Sequence, residues 1–222
     1  MSKVIVDIET VGFNFESYDS KIQEYLLKYS ETDEKKDDTK KKLSLFPLTG
    51  EIVAIGLLNP DTMRGTVLFQ DKNSKTPKLE EGDIVYESGN EAEILEKFWD
   101  IVKTYDQVIT FNGRGFDAPY LMLRSAIHKV RATKNLMGYR FDHKEHCDLM
   151  EQLTFYGATR KFSLDFYAKS FGIKSSKEEG IDGSMVGDFY EKGKFMDIAR
   201  YCFRDLVATK ELYDYWDRYL RF

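Results

Sequence analysis

The chain carries only two cysteines, Cys147 and Cys202, far apart and without CxxC spacing. That excludes a disulfide framework and points to a reducing, cytoplasmic setting. No apolar run reaches about 18 residues, so no membrane span is expected. The apolar stretch in the opening MSKVIVDIET is short and is broken by Asp7 and Glu9, unlike a signal peptide. An excess of positive charge is missing too. Lys and Arg number 33 against 38 Asp and Glu, for a net charge of −5, whereas domains that bind polyanions are usually basic. The charge is uneven: from Arg114 to Lys174, eleven Lys and Arg stand against six Asp and Glu. That excess reads either as ordinary scatter on a solvated face or as a surface for a polyanion.

What is present is globular. The 222 residues fit one large domain, and 14 Tyr with 16 Phe supply bulky core material. The pattern predicts a strand at once, with Val4, Val6 and Ile8 facing one side and Ile5, Asp7 and Glu9 the other. Residues 14–46 read as a charged insertion, with a short helix at 20–29 and a loop over EKKDDTKKK at 34–42. Strands are predicted at 52–58, 65–70 and 108–111, with a short edge strand at 84–86, a further short strand near 139–141, and a strand or a helix start at 146–149. Helical spacing covers 91–105, 118–129, 149–155, 163–171, 183–191 and 195–219. The order implies an α/β protein with a mixed sheet of five strands, or slightly more, flanked by helices.

Asp7 and Glu9 project from one face of a strand, about 6.5–7 Å apart along the chain. On an exposed edge they would simply be solvated. On an otherwise apolar strand two buried acids need a neutralising partner, and a divalent cation supplies one. Asp117 follows the strand at 108–111 and the turn Asn112-Gly113-Arg114-Gly115. It can serve as a plain N-cap, but ligands collect beyond the carboxyl ends of strands in α/β sheets. Gly113 and Gly115 would let a polymer approach the backbone. Asp205 lies four residues after Tyr201, so the two side chains share one helical face. A Tyr–Asp surface pair is disfavoured there, because Ile198, Cys202, Ala208, Leu212 and Trp216 surround it with apolar groups. The run Asp142-His143-Lys144-Glu145-His146-Cys147-Asp148 is rich in metal-capable residues but lacks a recognised zinc spacing. His128 reads as a helix-surface histidine.

Taken together, Asp7-Ile8-Glu9-Thr10, Asn112 to Phe116-Asp117, and Tyr201 to Asp205 resemble the three exonuclease motifs of the DEDD superfamily. The variant is the tyrosine one, since the histidine variant would place His where Arg200 stands. The likeness is to the proofreading exonuclease domain of family B DNA polymerases in its stand-alone form. It extends to Ile52-Val53-Ala54-Ile55-Gly56, Cys147-Asp148-Leu149-Met150 and Ser163-Leu164-Asp165. No palm or fingers segment follows, so an exonuclease module alone is expected.

The resemblance implies a ribonuclease-H-like fold and metal-dependent 3′–5′ exonuclease activity releasing nucleoside 5′-monophosphates, with single-stranded DNA favoured. Discrimination from RNA would rest on a 2′-hydroxyl contact that no short motif reveals. It implies two Mg²⁺ or Mn²⁺ ions roughly 3.5–4 Å apart on the scissile phosphate. Asp7 would bridge both, Glu9 and Asp205 would hold the water-side ion with it, and Asp117 would support the second through water. Tyr201 would orient the attacking water; with a free pKa of about 10, a strong-base role is disfavoured. Thr10, Asn112, Arg114 and Phe116 would flank the terminal nucleotide, Phe116 either there or in the core. Arg160 and Lys161 would meet backbone phosphates or form an exposed turn. By analogy, partners in replication or repair are expected. The competing reading is a non-catalytic nucleic-acid-binding or scaffold module of the same fold. An endonuclease is disfavoured by the tyrosine motif.

Overall fold

The computed structural model describes residues 1–72, 78–175, 177 and 180–221. Its centre is β1 (Lys3–Gly12), paired antiparallel to β2 (Gly50–Leu58) on one side and parallel to β6 (Gln107–Thr110) on the other. β3 (Gly65–Gln70), β5 (Ile84–Gly89) and β4 (Leu79–Glu81) extend the sheet beyond β2, and β7 (His146–Asp148) closes it beyond β6. The sheet is mixed and seven-stranded, in the order β4-β5-β3-β2-β1-β6-β7. The expected edge strand at 84–86 is therefore internal: β5 pairs parallel to β3 and antiparallel to the short β4 outside it. The strand expected near 139–141 does not form. Tyr139 and Phe141 lie in an exposed turn segment with no neighbouring strand.

The alternation in β1 separates two cores. Val4, Val6 and Ile8 pack with α3 (Glu91–Val102) and α4 (Asp117–Ile127), around Phe98, Trp99 and Leu121. Ile5 and Val11 face the other layer, formed by α5 (Leu149–Leu153), α6 (Leu164–Ser170), α7 (Val186–Glu191) and the long α8 (Phe195–Tyr219). No helix among the described residues is long and apolar enough to cross a membrane.

The insertion between β1 and β2 folds as α1 (Ser20–Leu27) and α2 (Asp33–Lys41). The loop expected at 34–42 is thus largely helical. Thr32 caps α2 by accepting from Lys35 N–H, Asp33 and Glu34 sit in the first turn, and Lys40 and Lys41 sit in the last. Each choice complements an unsatisfied helix end and its dipole. Neither helix buries a residue, so charge and capping rather than apolar period define α2.

A buried ion pair ties the α3–α4 layer to the sheet. Glu91 receives two hydrogen bonds from Arg124, at 2.8 and 2.6 Å, and one from Ile52 N–H at 2.8 Å. His128 ends α4 half-buried, with Nε2 2.7 Å from Glu91 Oε2, so it belongs to this network rather than to an open helix surface. Burial acts to raise the Glu91 pKa, but the Arg124 and Ile52 hydrogen bonds outweigh it and hold Glu91 below its ordinary value.

Candidate functional site

β6 pairs with β1 only as far as Ile109 against Ile5, then turns away. The strand continues without that neighbour, so Ile8 N–H loses a ladder partner. The Asp117 carboxylate takes its place, accepting from Ile8 N–H at 3.1 Å. The divergence of two strands thus creates the gap, and the first residue of α4 fills it.

Asp117 is delivered by a braced turn. Asn112 adopts a left-handed φ of 63°, a conformation Asn tolerates better than most residues. Asp148, capping α5, accepts from Asn112 N–H and Arg114 N–H, both at 2.9 Å, and from Met150 N–H at 3.0 Å. Gly113 is buried against the Thr110 side chain, leaving no room for a Cβ. That glycine serves internal packing.

Asp205 arrives from the opposite layer. α8 packs across β2, β1 and β3, and its seat lies on Gly56, the β2 residue opposite Asp7. A Cβ on Gly56 would stand 2.6 Å from Leu206 Cδ1 and 2.9 Å from Cys202 Sγ. The missing side chain lets the helix sit close to the sheet, and Cys202 Sγ reaches the Asp7 carbonyl and carboxylate at 3.7 Å.

The result is a cluster. One carboxylate oxygen from each of Asp7, Glu9 and Asp205 lies within 4.8 Å of the others. Asp7 is half-buried, while Glu9 and Asp205 are 8% and 9% exposed. Asp117 lies outside this group of three but within electrostatic reach. Burial raises the Asp7 and Glu9 pKa values well above the ordinary range, and the charges of Asp205 and Asp117 raise them further. Burial likewise pushes Asp117 up to about 7, against the lowering effect of backbone hydrogen bonds. Acids so disposed favour any cation that can share their oxygens. The donor set is all hard oxygen, which fits Mg²⁺ or Mn²⁺. Tyr201 is buried and hydrogen-bonds Asp205; burial and the nearby Asp205 and Glu9 charges raise its pKa, so the phenol stays protonated at neutral pH.

The remaining sequence-derived positions make contacts of their own, and none of the four acids lines the cleft beside Thr10. Thr10 donates to Ser44 carbonyl at 2.7 Å and lines a cleft of about 720 Å³, together with Asn14, Lys41, Lys72 and Tyr190. The Tyr190 hydroxyl on that wall is buried and has no hydrogen-bond partner among the described residues. The Arg114 guanidinium binds the Gly138 and Tyr139 carbonyls, at 2.9 and 3.0 Å. Phe116 packs on Tyr120, with ring centroids 5.4 Å apart, at the rim of the α3–α4 core. The metal-capable run at 142–148 is engaged elsewhere: His146 bonds Leu136 carbonyl at 2.7 Å and Thr110 Oγ1 at 2.9 Å. Sequence reasoning missed Gly56 and the bracing role of Asp148. A lone glycine inside an apolar strand signals close backbone approach, and an Asp just before a helix signals a cap.

Known proteins resemble this chain over most of its length. Residues 52–219 match the family described as predicted 3′–5′ exonucleases related to the exonuclease domain of PolB. The chain is 36% identical over 180 residues to DNA polymerase 1 of Saccharolobus solfataricus, covering 72% of this chain and 19% of that protein. It is 24% identical over 174 residues to the DNA polymerase of Red sea bream iridovirus, covering 68% of this chain and 18% of that protein. The chain therefore spans about a fifth of the length of these polymerases. The solved family B DNA polymerase of Pyrobaculum calidifontis superposes with a TM-score of 0.61 at 18% identity, over 97% of this chain and 24% of that one. The likeness to that structure is one of fold, a mixed sheet flanked by helices of the ribonuclease-H-like class. By the family match over most of its length, the chain belongs to the predicted 3′–5′ exonucleases related to the exonuclease domain of PolB.

Proposed function

We propose that this chain is a tyrosine-type DEDD exonuclease that removes nucleotides from the 3′ end of single-stranded DNA. The observation that carries this reading is the convergence of Asp7, Glu9 and Asp205, from the two ends of the sequence, to within 4.8 Å. Buried acids that raise one another's pKa weaken a fold unless they do something else.

Asp7, Glu9 and Asp205 would hold Mg²⁺ or Mn²⁺, with Asp117 supporting a second ion. Divalent ions bound there would neutralise the acids, polarise the scissile phosphate and lower the pKa of an attacking water. The chain's own groups do the rest. Asp117 is immobilised by Ile8 N–H, so its charge stays aimed at the cluster. Tyr201, protonated and anchored on Asp205, orients the water by hydrogen bonding rather than by removing its proton. The water oxygen bonds to phosphorus as its proton passes to solvent, the bond from phosphorus to the 3′ oxygen of the preceding nucleotide breaks, that oxygen takes up a proton from solvent to leave a 3′-hydroxyl, and a nucleoside 5′-monophosphate leaves. The cleft past Thr10 falls within the roughly 300–1,000 Å³ of ordinary ligand pockets and would receive the terminal nucleotide.

The test is incubation of internally labelled single-stranded DNA with millimolar Mg²⁺ or Mn²⁺. Stepwise shortening from the 3′ end, lost in Asp7→Asn and Asp205→Asn, is expected. Binding of DNA with no metal-dependent shortening of DNA or RNA would instead make the chain a non-catalytic module.

A further inference from the structure

Large aromatic side chains are normally buried, yet several between 139 and 166 stand in solvent. Tyr139 is 75% exposed, Phe141 54%, Phe155 57% and Phe166 51%. They are not scattered. Tyr139 meets Phe141 edge-on at 5.7 Å, and Phe141 lies 4.8 Å from Tyr156. Phe162 stacks on Phe166 at 4.4 Å with 13° between ring planes, and the Arg160 guanidinium lies over Phe162 at 5.1 Å.

Both runs connect to the turn that delivers Asp117. Tyr139 is held by the Arg114 guanidinium through its carbonyl. Phe111, which precedes that turn, contacts Tyr167 at 5.8 Å, and Tyr167 contacts Phe162 at 6.2 Å. Cations accompany the rings: Arg140 lies over Phe141 at 5.9 Å, and the charges of Arg140, Lys161 and Arg114 all act on Glu151. The stretch 114–174 holds eleven basic residues against six acidic in a chain of net charge −5; Arg124 is buried on Glu91 and Arg140 is paired to Glu151, so Arg160 and Lys161 are the cations this face offers beside the rings. A chain of that net charge has little long-range attraction for a polyanion, so a local basic patch must supply it.

We propose that this face is a stacking platform for single-stranded DNA, on which Tyr139, Phe141, Phe162 and Phe166 take bases while Arg160 and Lys161 meet phosphates. Every base offers a π-face, so aromatic stacking beside cations holds a strand without reading its sequence. Continuity with the Asn112–Asp117 turn fits DNA running toward the acid cluster, and the proposal rests on the exonuclease reading for that direction.

The experiment measures fluorescence anisotropy of labelled oligo(dT) of 3, 6 and 12 nucleotides on the full chain carrying Asp7→Asn, so that binding is read without turnover. Matched oligo(rU) forms the second arm. Y139A/F141A and F166A are expected to weaken 12-mer binding about tenfold or more, with a smaller loss for the trimer. Lys161→Glu should lower the slope of log affinity against log salt by about one. These side chains are exposed, so unchanged melting midpoints are expected and serve as the folding control. Variants that bind the 12-mer like the parent, a parent that binds 12-mer and trimer equally, or binding of oligo(rU) alone would overturn the proposal. Platform-dependent binding by a chain that never shortens DNA would leave the platform standing and defeat the exonuclease reading. A chain that shortens DNA while its platform variants bind normally would do the reverse.

Discussion

Leu206 of α8 rests on the bare backbone of Gly56 in β2, where a Cβ would approach its Cδ1 to 2.6 Å. Because Gly56 pairs with Asp7, this contact sets how closely the helix that carries Tyr201 and Asp205 approaches the strand that carries Asp7 and Glu9. Gly56→Ala should therefore push α8 outward. Overpacking of this kind costs about 1–3 kcal/mol, while a misplacement near 1 Å costs on the order of 100-fold in rate. The expected result is a modest loss in melting midpoint with a 10- to 100-fold loss of metal-dependent nuclease rate. Combining it with Leu206→Ala should recover part of the rate. A rate unchanged in Gly56→Ala would show that helix seating does not govern the site.

The acid cluster makes stability depend on pH and metal in a defined direction. Burial and mutual repulsion raise the folded pKa values of Asp7 and Glu9, and hold Asp117 at about 7. A carboxylate raised in the folded state stabilises the fold relative to the unfolded chain while protonated, and that contribution is lost as pH rises through the folded pKa. The metal-free protein should therefore lose stability from these groups as pH rises from about 4, the ordinary carboxylate value, through about 7, the value to which Asp117 is raised. Ions bind the deprotonated acids, so millimolar Mg²⁺ or Mn²⁺ should raise the melting midpoint more at pH 8 than at pH 6. Asp7→Asn should raise the metal-free midpoint at pH 8 and erase most of the metal response. Each kcal/mol corresponds to about 2–4 °C in a chain of this size, within reach of a thermal shift assay.

What could be read from the residues follows from which signals are periodic or chemical. The alternation in β1, the continuous apolar run of β2 and the 25-residue span of α8 were legible because burial imposes a period. The cluster of Asp7, Glu9 and Asp205 was legible as a motif set. α2 was not, because it buries nothing and owes its helix to Thr32 and to charges at its two ends. Tyr139 and Phe141 read as a strand because aromatics favour strands when half-buried, but no sheet edge receives them and they stand in solvent. Gly56 looked like part of an apolar strand, and only the helix resting on it shows why a side chain is absent.

Asp148 is a positioning residue whose loss should be felt at Asp117. It accepts the Asn112 and Arg114 backbone N–H groups at 2.9 Å while capping α5. Asp148→Ala leaves several partly buried donors unpaired, at about 1–3 kcal/mol each. It also frees the turn in which Asn112 holds its left-handed conformation. Stability should fall by a few kcal/mol, and the metal concentration for half-maximal rate should rise. A purely structural role would leave that metal dependence unchanged once folding is matched by lowering the temperature. Kinetics across a Mn²⁺ titration distinguish the two.

The Glu91–Arg124 pair should matter for the fold and not for the chemistry. Both side chains are nearly inaccessible, at 5% and 6% exposure, and Glu91 also satisfies Ile52 N–H. Removing one member of a buried pair strands the other's charge and costs about 3–5 kcal/mol. Glu91→Ala also leaves Ile52 N–H on β2 without its acceptor, so it should be more harmful than Arg124→Ala. Glu91→Gln keeps one acceptor oxygen for Ile52 N–H and Arg124 Nε–H but sets its amide NH2, a donor, against Arg124 Nη2, so it should fall between Glu91→Ala and the parent. Urea denaturation should rank the midpoints as parent, then Glu91→Gln, then Glu91→Ala. At a temperature where all three are folded, nuclease rates should agree within about threefold, since Glu91 lies on the α3–α4 side of the sheet, opposite the layer that carries Asp205. A large loss of rate in folded Glu91→Gln would mean that this ion pair is coupled to the acid cluster through β2.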